Sequence, residues 1–126
     1  MLDLHARYAN TIDGGDADGW AGCFTADGAL RTDRPREVVG RAALREFAAA
    51  WAASRVGATR HVTWHHRVDE PGLTGRCSAA LVITEVAGVT IDYTAVYIDR
   101  YEQIGGDVLL SERVVTFDRA KTGRDE

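Results

Sequence analysis

Apolar residues recur at helical spacing along the first half of the chain. Leu4, Tyr8 and Ile12 stand four apart, so one stripe of the opening dozen residues faces a core, and Gly14-Gly15 ends the helix they predict. Asp16 is placed to cap a second, short helix whose apolar face holds Trp20, Cys23 and Phe24, before Ala26 to Gly28 turns the chain. A short strand over Ala29 to Thr32 and a charged, proline-bearing loop, "DRPRE", come next. From Arg41 to Ser54, the residues Leu44, Phe47, Ala48 and Trp51 fall at i, i+3, i+4 and i+7 in an alanine-rich setting, which predicts the clearest helix in the chain. Gly57 lies just past its end.

The second half changes period. "RHVTWHHRVDEPG" alternates, "RCSAALVITEVAG" and "VTIDYTAVYIDRYEQIGG" are rich in branched and aromatic residues, and "DVLLSERVVTFD" completes a set of four strands. Turns at Pro71-Gly72, Gly88 and Gly105-Gly106 are short enough to join antiparallel neighbours. Helices followed by a meander predict an α+β fold, with the helices packed on one face of a curved sheet. "AALVI" and "TAVYI" are nearly continuous apolar runs, as in strands covered on both faces, and helices in so short a chain cover only one. A homodimer packed sheet on sheet is therefore expected.

Composition narrows the class. The 126 residues predict one domain over 1–119 and a charged tail over 120–126. With a net charge of -4 and no basic patch, neither nucleic acid nor an anionic membrane surface is an expected partner, and no apolar run is long enough to span a bilayer. Cys23 and Cys77 are too far apart for a Cys-x-x-Cys motif and the N-terminus lacks the pattern of a secretory signal, so two buried thiols in a cytoplasmic protein are expected.

Three of the four histidines fall within "RHVTWHH". Strand alternation puts His61, Thr63 and His65 on one face and Val62, Trp64 and His66 on the other. His61 and His65 are then about 13 Å apart, too far to share one zinc ion, and no metal is expected. An acid or base needs only one imidazole with a partner to fix its tautomer, and His61, entering a strand beneath the helices, is the better candidate. Tyr8 points inward from the first helix and its phenol needs a partner there. Asp13 lies about 140° around a regular helix from Tyr8 and shares its face only if the helix end unwinds at the glycine pair; an acidic residue there also opposes the helix dipole.

"RYANTIDGGDADGWAGCFTADGAL", "VVGRAALREF", "TRHVTWH", "YIDRY" and "SERVVTFD" together resemble, in that order and over nearly the whole chain, the SnoaL-like polyketide cyclase group of the nuclear transport factor 2-like superfamily. The resemblance implies a cone of three helices on a strongly bent, mostly antiparallel sheet around a deep apolar pocket, usually dimeric. Its relatives include scytalone dehydratase, bile acid 7α-dehydratase, ketosteroid isomerase and limonene epoxide hydrolase. In the dehydratase branch a first-helix Tyr and Asp and the His of an Arg-His motif project into the pocket, which carries over here to Tyr8, Asp13 and His61. An Asn usual in the group is replaced by His65, and a second pocket tyrosine has no match over Leu30 to Thr32. Arg113 and Asp118 match and are read as structural.

The chain is thus expected to be a cofactor-free enzyme that uses acid-base chemistry for dehydration, isomerisation or cyclisation of a small apolar substrate bearing a carbonyl or hydroxyl. His61 would be the base, Asp13 its orienter and Tyr8 a donor to the developing oxyanion. His65, Thr63, Trp20, Phe24, Phe47 and Trp51 are the expected substrate contacts. The alternative is a non-catalytic dimer of the same fold, serving as a ligand carrier or as an accessory subunit.

Overall fold

The computed structural model describes residues 1–34, 36–69 and 71–119. The expected tail over 120–126 lies outside them. The chain opens with α1 (Leu2–Gly14), α2 (Ala17–Ala21), β1 (Phe24–Thr32), β2 (Arg36–Val39) and α3 (Arg41–Ser54), and continues as β3 (Ala58–Asp69), β4 (Thr74–Glu85), β5 (Gly88–Ile104) and β6 (Asp107–Phe117). Among these elements, three helices pack on one six-stranded sheet of order β2-β1-β6-β5-β4-β3. Every pairing is antiparallel except β1 with β6, so the α+β class read from the sequence holds.

The local signals acted as expected at the helix ends, although α2 is shorter than expected: it stops at Ala21, so Cys23 lies beyond it and Phe24 opens β1. Gly15 takes φ 76°, and the amides of Gly15 and Asp16 return to the carbonyls of Ile12 and Thr11, closing α1 with a left-handed cap. The Asp16 carboxylate accepts from the Gly19 amide at 2.9 Å, capping α2. α3 has the predicted bounds.

Two expectations at the first strands are corrected. "ADG" does not separate a helix from a strand: it lies within β1 as an irregularity, where the register against β6 shifts between Phe24 and Ala29. A Cβ on Gly28 would sit 2.8 Å from Phe24 Cβ and 3.0 Å from the Leu110 carbonyl, so glycine is what lets the two strands approach here. The loop assigned to "DRPRE" is shorter than expected. Arg36 and Glu37 already belong to β2, which pairs with β1 through Leu30 and Val38 and gives the sheet an edge strand that charge and proline had masked.

The core lies between the helices and the concave side of the sheet. β5 alternates there: Tyr93, Ala95, Tyr97, Asp99 and Tyr101 face the helices, while Ile98 on the other side is half exposed. Val62 and Trp64 of β3 are exposed on that same outer side. The apolar run "TAVYI" is therefore one buried face and one open face in the single chain.

Candidate active site

His61 lines the apolar cavity and is held by Asp13. Its Nδ1–H donates to Asp13 Oδ1 at 2.7 Å and its backbone N–H to Asp13 Oδ2 at 2.8 Å, so one carboxylate holds both the ring and the strand that carries it. The Thr59 hydroxyl donates to Asp13 Oδ1 at 3.0 Å, and Arg55 Nη1 donates to the Asp13 carbonyl at 2.5 Å and to the Thr59 hydroxyl at 3.2 Å. Because an ionised carboxylate only accepts, the proton on the neutral imidazole sits on Nδ1. Nε2 is left as a lone-pair acceptor.

Burial by itself would push the Asp13 carboxyl up. The hydrogen bonds from the His61 ring, the His61 amide and Thr59, with the charge His61 can carry, together hold it below the ordinary carboxylate value. α1 does not unwind at the glycine pair to make this contact. Asp13 projects from the side of the last turn onto β3, on a different face from Tyr8, and acts on the cavity through His61.

The cavity has an inner volume of about 90 Å³. His61 lines it together with Tyr8, Trp20, Phe47 and Trp51, all expected from the sequence. Trp51 lies against the imidazole with ring centroids 5.3 Å apart. Tyr93, Tyr97 and Phe117 complete the aromatic wall and were not among the expected contacts. The signal for the two tyrosines was present: they stand four apart in one strand and so share a face, but a continuous apolar run hides which face. Tyr8 is buried with its ring under the Arg113 guanidinium, whose carbon is 4.3 Å from the centroid. Burial raises its pKa, against the opposing pull of Arg113, so the phenol stays protonated near neutral pH.

Three expected contacts are placed differently. Phe24 is fully buried behind Tyr8 and Trp20, at centroid distances of 6.1 and 5.1 Å, and belongs to the core instead of the cavity wall. His65 does not share the face of His61. It adopts φ 55° in a bulge that shifts the β3–β4 register between Trp64 and Arg67, leaving its exposed ring beside Trp64. The bulge reverses the parity of the strand beyond it, so His66 turns to the helix side: its Nε2 lies 3.0 Å from the Thr63 hydroxyl and its ring 4.4 Å from that of His5. Thr63 is thus engaged with His66, outside the cavity lining.

His5, His66 and Cys77 bring three potential metal-ligand atoms within 4.8 Å of one another, a grouping that strand spacing alone did not foresee. Both His5 nitrogens are already engaged. Arg113, which can only donate, reaches His5 Nδ1 at 3.2 Å, so His5 Nε2 carries the proton and meets the Tyr101 hydroxyl at 3.1 Å. The Tyr101 hydroxyl in turn donates to Asp99 Oδ2 at 3.1 Å. A cation held by His5 Nε2 would displace Tyr101.

This chain of bonds keeps His5 neutral, and burial, then the Arg113 charge and His66, lower its pKa from 6.5 to about 4 against the opposing charge of Asp99. The unfolded chain takes up that proton below about pH 6.5 and the folded chain does not. Stability is therefore expected to be complete above that pH and to fall, by on the order of 3 kcal/mol, as the pH drops toward 4. Urea denaturation at pH 7 and 4.5 measures the loss. His5→Gln, whose amide can accept from Arg113 and donate to Tyr101, should flatten it, and an unchanged slope in that variant would assign the effect to other groups.

An α+β cone with a histidine-carboxylate pair at the edge of an aromatic cavity defines the class. The chain matches the family model of the SnoaL-like domain over residues 1–114 and belongs to that family. Among solved structures, it is similar to Rv3472 of Mycobacterium tuberculosis, described as a protein of unknown function, with 36% identity, a TM-score of 0.86, and coverage of 94% of this chain and 70% of that one. It shares its fold with ActVI-ORFA of Streptomyces coelicolor (24% identity, TM-score 0.77, 93% and 94% covered). A Catenulispora acidiphila protein solved in complex with S-DNPA also has this fold (22% identity, TM-score 0.82, 92% and 89% covered). No curated protein matches the chain.

Proposed function

We propose that this protein is a cofactor-free acid-base enzyme that dehydrates, isomerises or cyclises a small, largely apolar substrate bearing a carbonyl or hydroxyl. The observation that carries the reading is the His61–Asp13 pair, fixed through both carboxylate oxygens, with the free imidazole nitrogen of a cavity-lining residue left to act. Nε2 removes a proton from the carbon next to the substrate carbonyl, and Asp13 stabilises the imidazolium that results. The enolate oxygen accepts from the Tyr8 hydroxyl in surroundings too dry for water to compete. Return of the proton to another carbon gives an isomer; its delivery to a departing hydroxyl gives a dehydrated product. That a neighbour of this fold was solved with S-DNPA supports the cavity as a ligand site.

The test needs no known substrate. A panel of cyclic and aromatic ketones incubated with the protein in D₂O is expected to gain deuterium next to the carbonyl faster than in buffer, as read by mass spectrometry. No excess exchange across the panel would leave a ligand-binding module as the better reading.

The proposed enzyme is a homodimer joined through the outer face of the sheet, where Val62, Trp64 and Ile98 are exposed among smaller residues. Sedimentation at micromolar concentration should give twice the chain mass, and Ile98→Asp should give one chain mass. A wild-type monomer would remove this part of the proposal. A cytoplasmic location fits two free, buried thiols, Cys23 and Cys77. Among the described residues, no helix is long and apolar enough to cross a membrane.

A further inference from the structure

We infer that the mouth of the cavity is an anion subsite built by Arg34 and Arg36, and that the substrate is an apolar ring system carrying a carboxylate. The inference rests on the function proposed above for the chamber behind it. Outside His61 the cavity widens into a vestibule of about 550 Å³ whose wall includes both arginines. Phe47, Trp51, Tyr93 and Phe117 line vestibule and inner chamber alike, so the two adjoin, and the ligand inferred here reaches from one into the other.

The two guanidinium groups lie on aromatic faces of that wall. Arg34 Cζ is 4.0 Å from the Phe117 centroid and Arg36 Cζ is 4.8 Å from that of Phe47. Stacking uses the face of a guanidinium and leaves the N–H groups along its edge to meet a carboxylate. The acids nearest in sequence are committed elsewhere. Glu37 pairs with Arg31 at 3.0 Å, while Asp33 pairs with Arg119 at 3.3 Å and accepts from the Phe117 amide at 3.1 Å. Among the described residues, neither Arg34 nor Arg36 is in an ion pair. Among the described residues, Asp92 is the one acid in the vestibule wall, so these side chains bring two positive charges against one negative.

This arrangement orients as well as binds. Trp51 reaches from the vestibule to within 5.3 Å of the His61 ring, centroid to centroid. A ligand whose carboxylate meets the two arginines therefore lays its apolar body along Trp51 toward His61, while the reverse orientation would bury a charge among aromatic rings. Arg34 and Arg36, both exposed and outside the core, acquire a role as the part of the protein that selects acids.

The experiment compares 2-naphthoate with 2-naphthamide, which share a ring and differ in charge, by calorimetric titration at low ionic strength. Naphthoate is expected to bind about tenfold more tightly, with the preference shrinking in 0.5 M NaCl as exposed charge interactions are screened. Arg34→Gln/Arg36→Gln should bring the two affinities together by weakening naphthoate alone, and Asp92→Asn should strengthen naphthoate. Retained naphthamide binding shows that the doubly substituted protein is folded with its cavity open. Equal affinities in the wild type, or a preference for naphthoate that survives the double substitution, would overturn the subsite while leaving the cavity as a ligand site. Binding of neither probe to the wild type would overturn the subsite and the reading of the cavity together.

Discussion

His61→Gln is expected to lower the rate of deuterium exchange into a responsive ketone by about 10²- to 10⁴-fold, the usual contribution of a positioned general base. The side-chain amide of Gln can still donate to Asp13, so the contacts that tie α1 to β3 need not fail with the chemistry. It cannot take up a proton near neutral pH. The urea midpoint should therefore stay close to wild type while exchange falls, and probe affinity should change little. An exchange rate within threefold of wild type in a folded His61→Gln protein would assign the base to another residue.

Asp99→Asn is expected to destabilise the fold by about 3–5 kcal/mol, the range for breaking a buried ion pair from one side. Arg113 donates to both Asp99 oxygens, from Nε at 2.8 Å and from Nη2 at 2.9 Å, and the two side chains are 1% and 0% exposed. Burial would lower the Arg113 pKa, and in the native fold the hydrogen bonds and charge of Asp99 hold it well above its ordinary value. With Asp99 neutralised that support is lost, and because arginine is too basic to shed its proton the guanidinium is left as an uncompensated buried charge. Asn would also turn an NH₂ toward donors that now meet an acceptor, and among the described residues Arg113 Nη1 is already buried without a partner. The loss would extend toward the cavity, because Arg113 is stacked between Tyr8 and Tyr97, 4.3 and 4.2 Å from their centroids. Urea denaturation at pH 7 measures it; a loss below 1 kcal/mol would show that water or another acid reaches Arg113.

The order of helices and strands, the bounds of α3 and the caps of α1 and α2 were legible because each depends on residues within a few positions of one another. β2 was not, since charged residues and a proline are what an edge strand and a loop both use. The aromatic lining was read only in part. Trp20, Phe47 and Trp51 followed from helical periodicity, whereas Tyr93 and Tyr97 sat in an apolar run with no polar positions to mark its inner face.

Taken alone, the sequence determined the class of the fold and the inward side of the first and third helices, because backbone period and residue type are properties of short segments, and through resemblance it singled out Tyr8, Asp13 and His61 as the candidate trio. Tertiary structure decided how that trio is arranged: Asp13 reaches His61 across 48 positions from the side of a regular helix, a contact that strand and helix periods do not encode. It also decided the fates of His65 and His66. One residue at positive φ inserts a step into β3, and since strand side chains alternate with a period of two, that single step carries one histidine out beside Trp64 and the next in against His5.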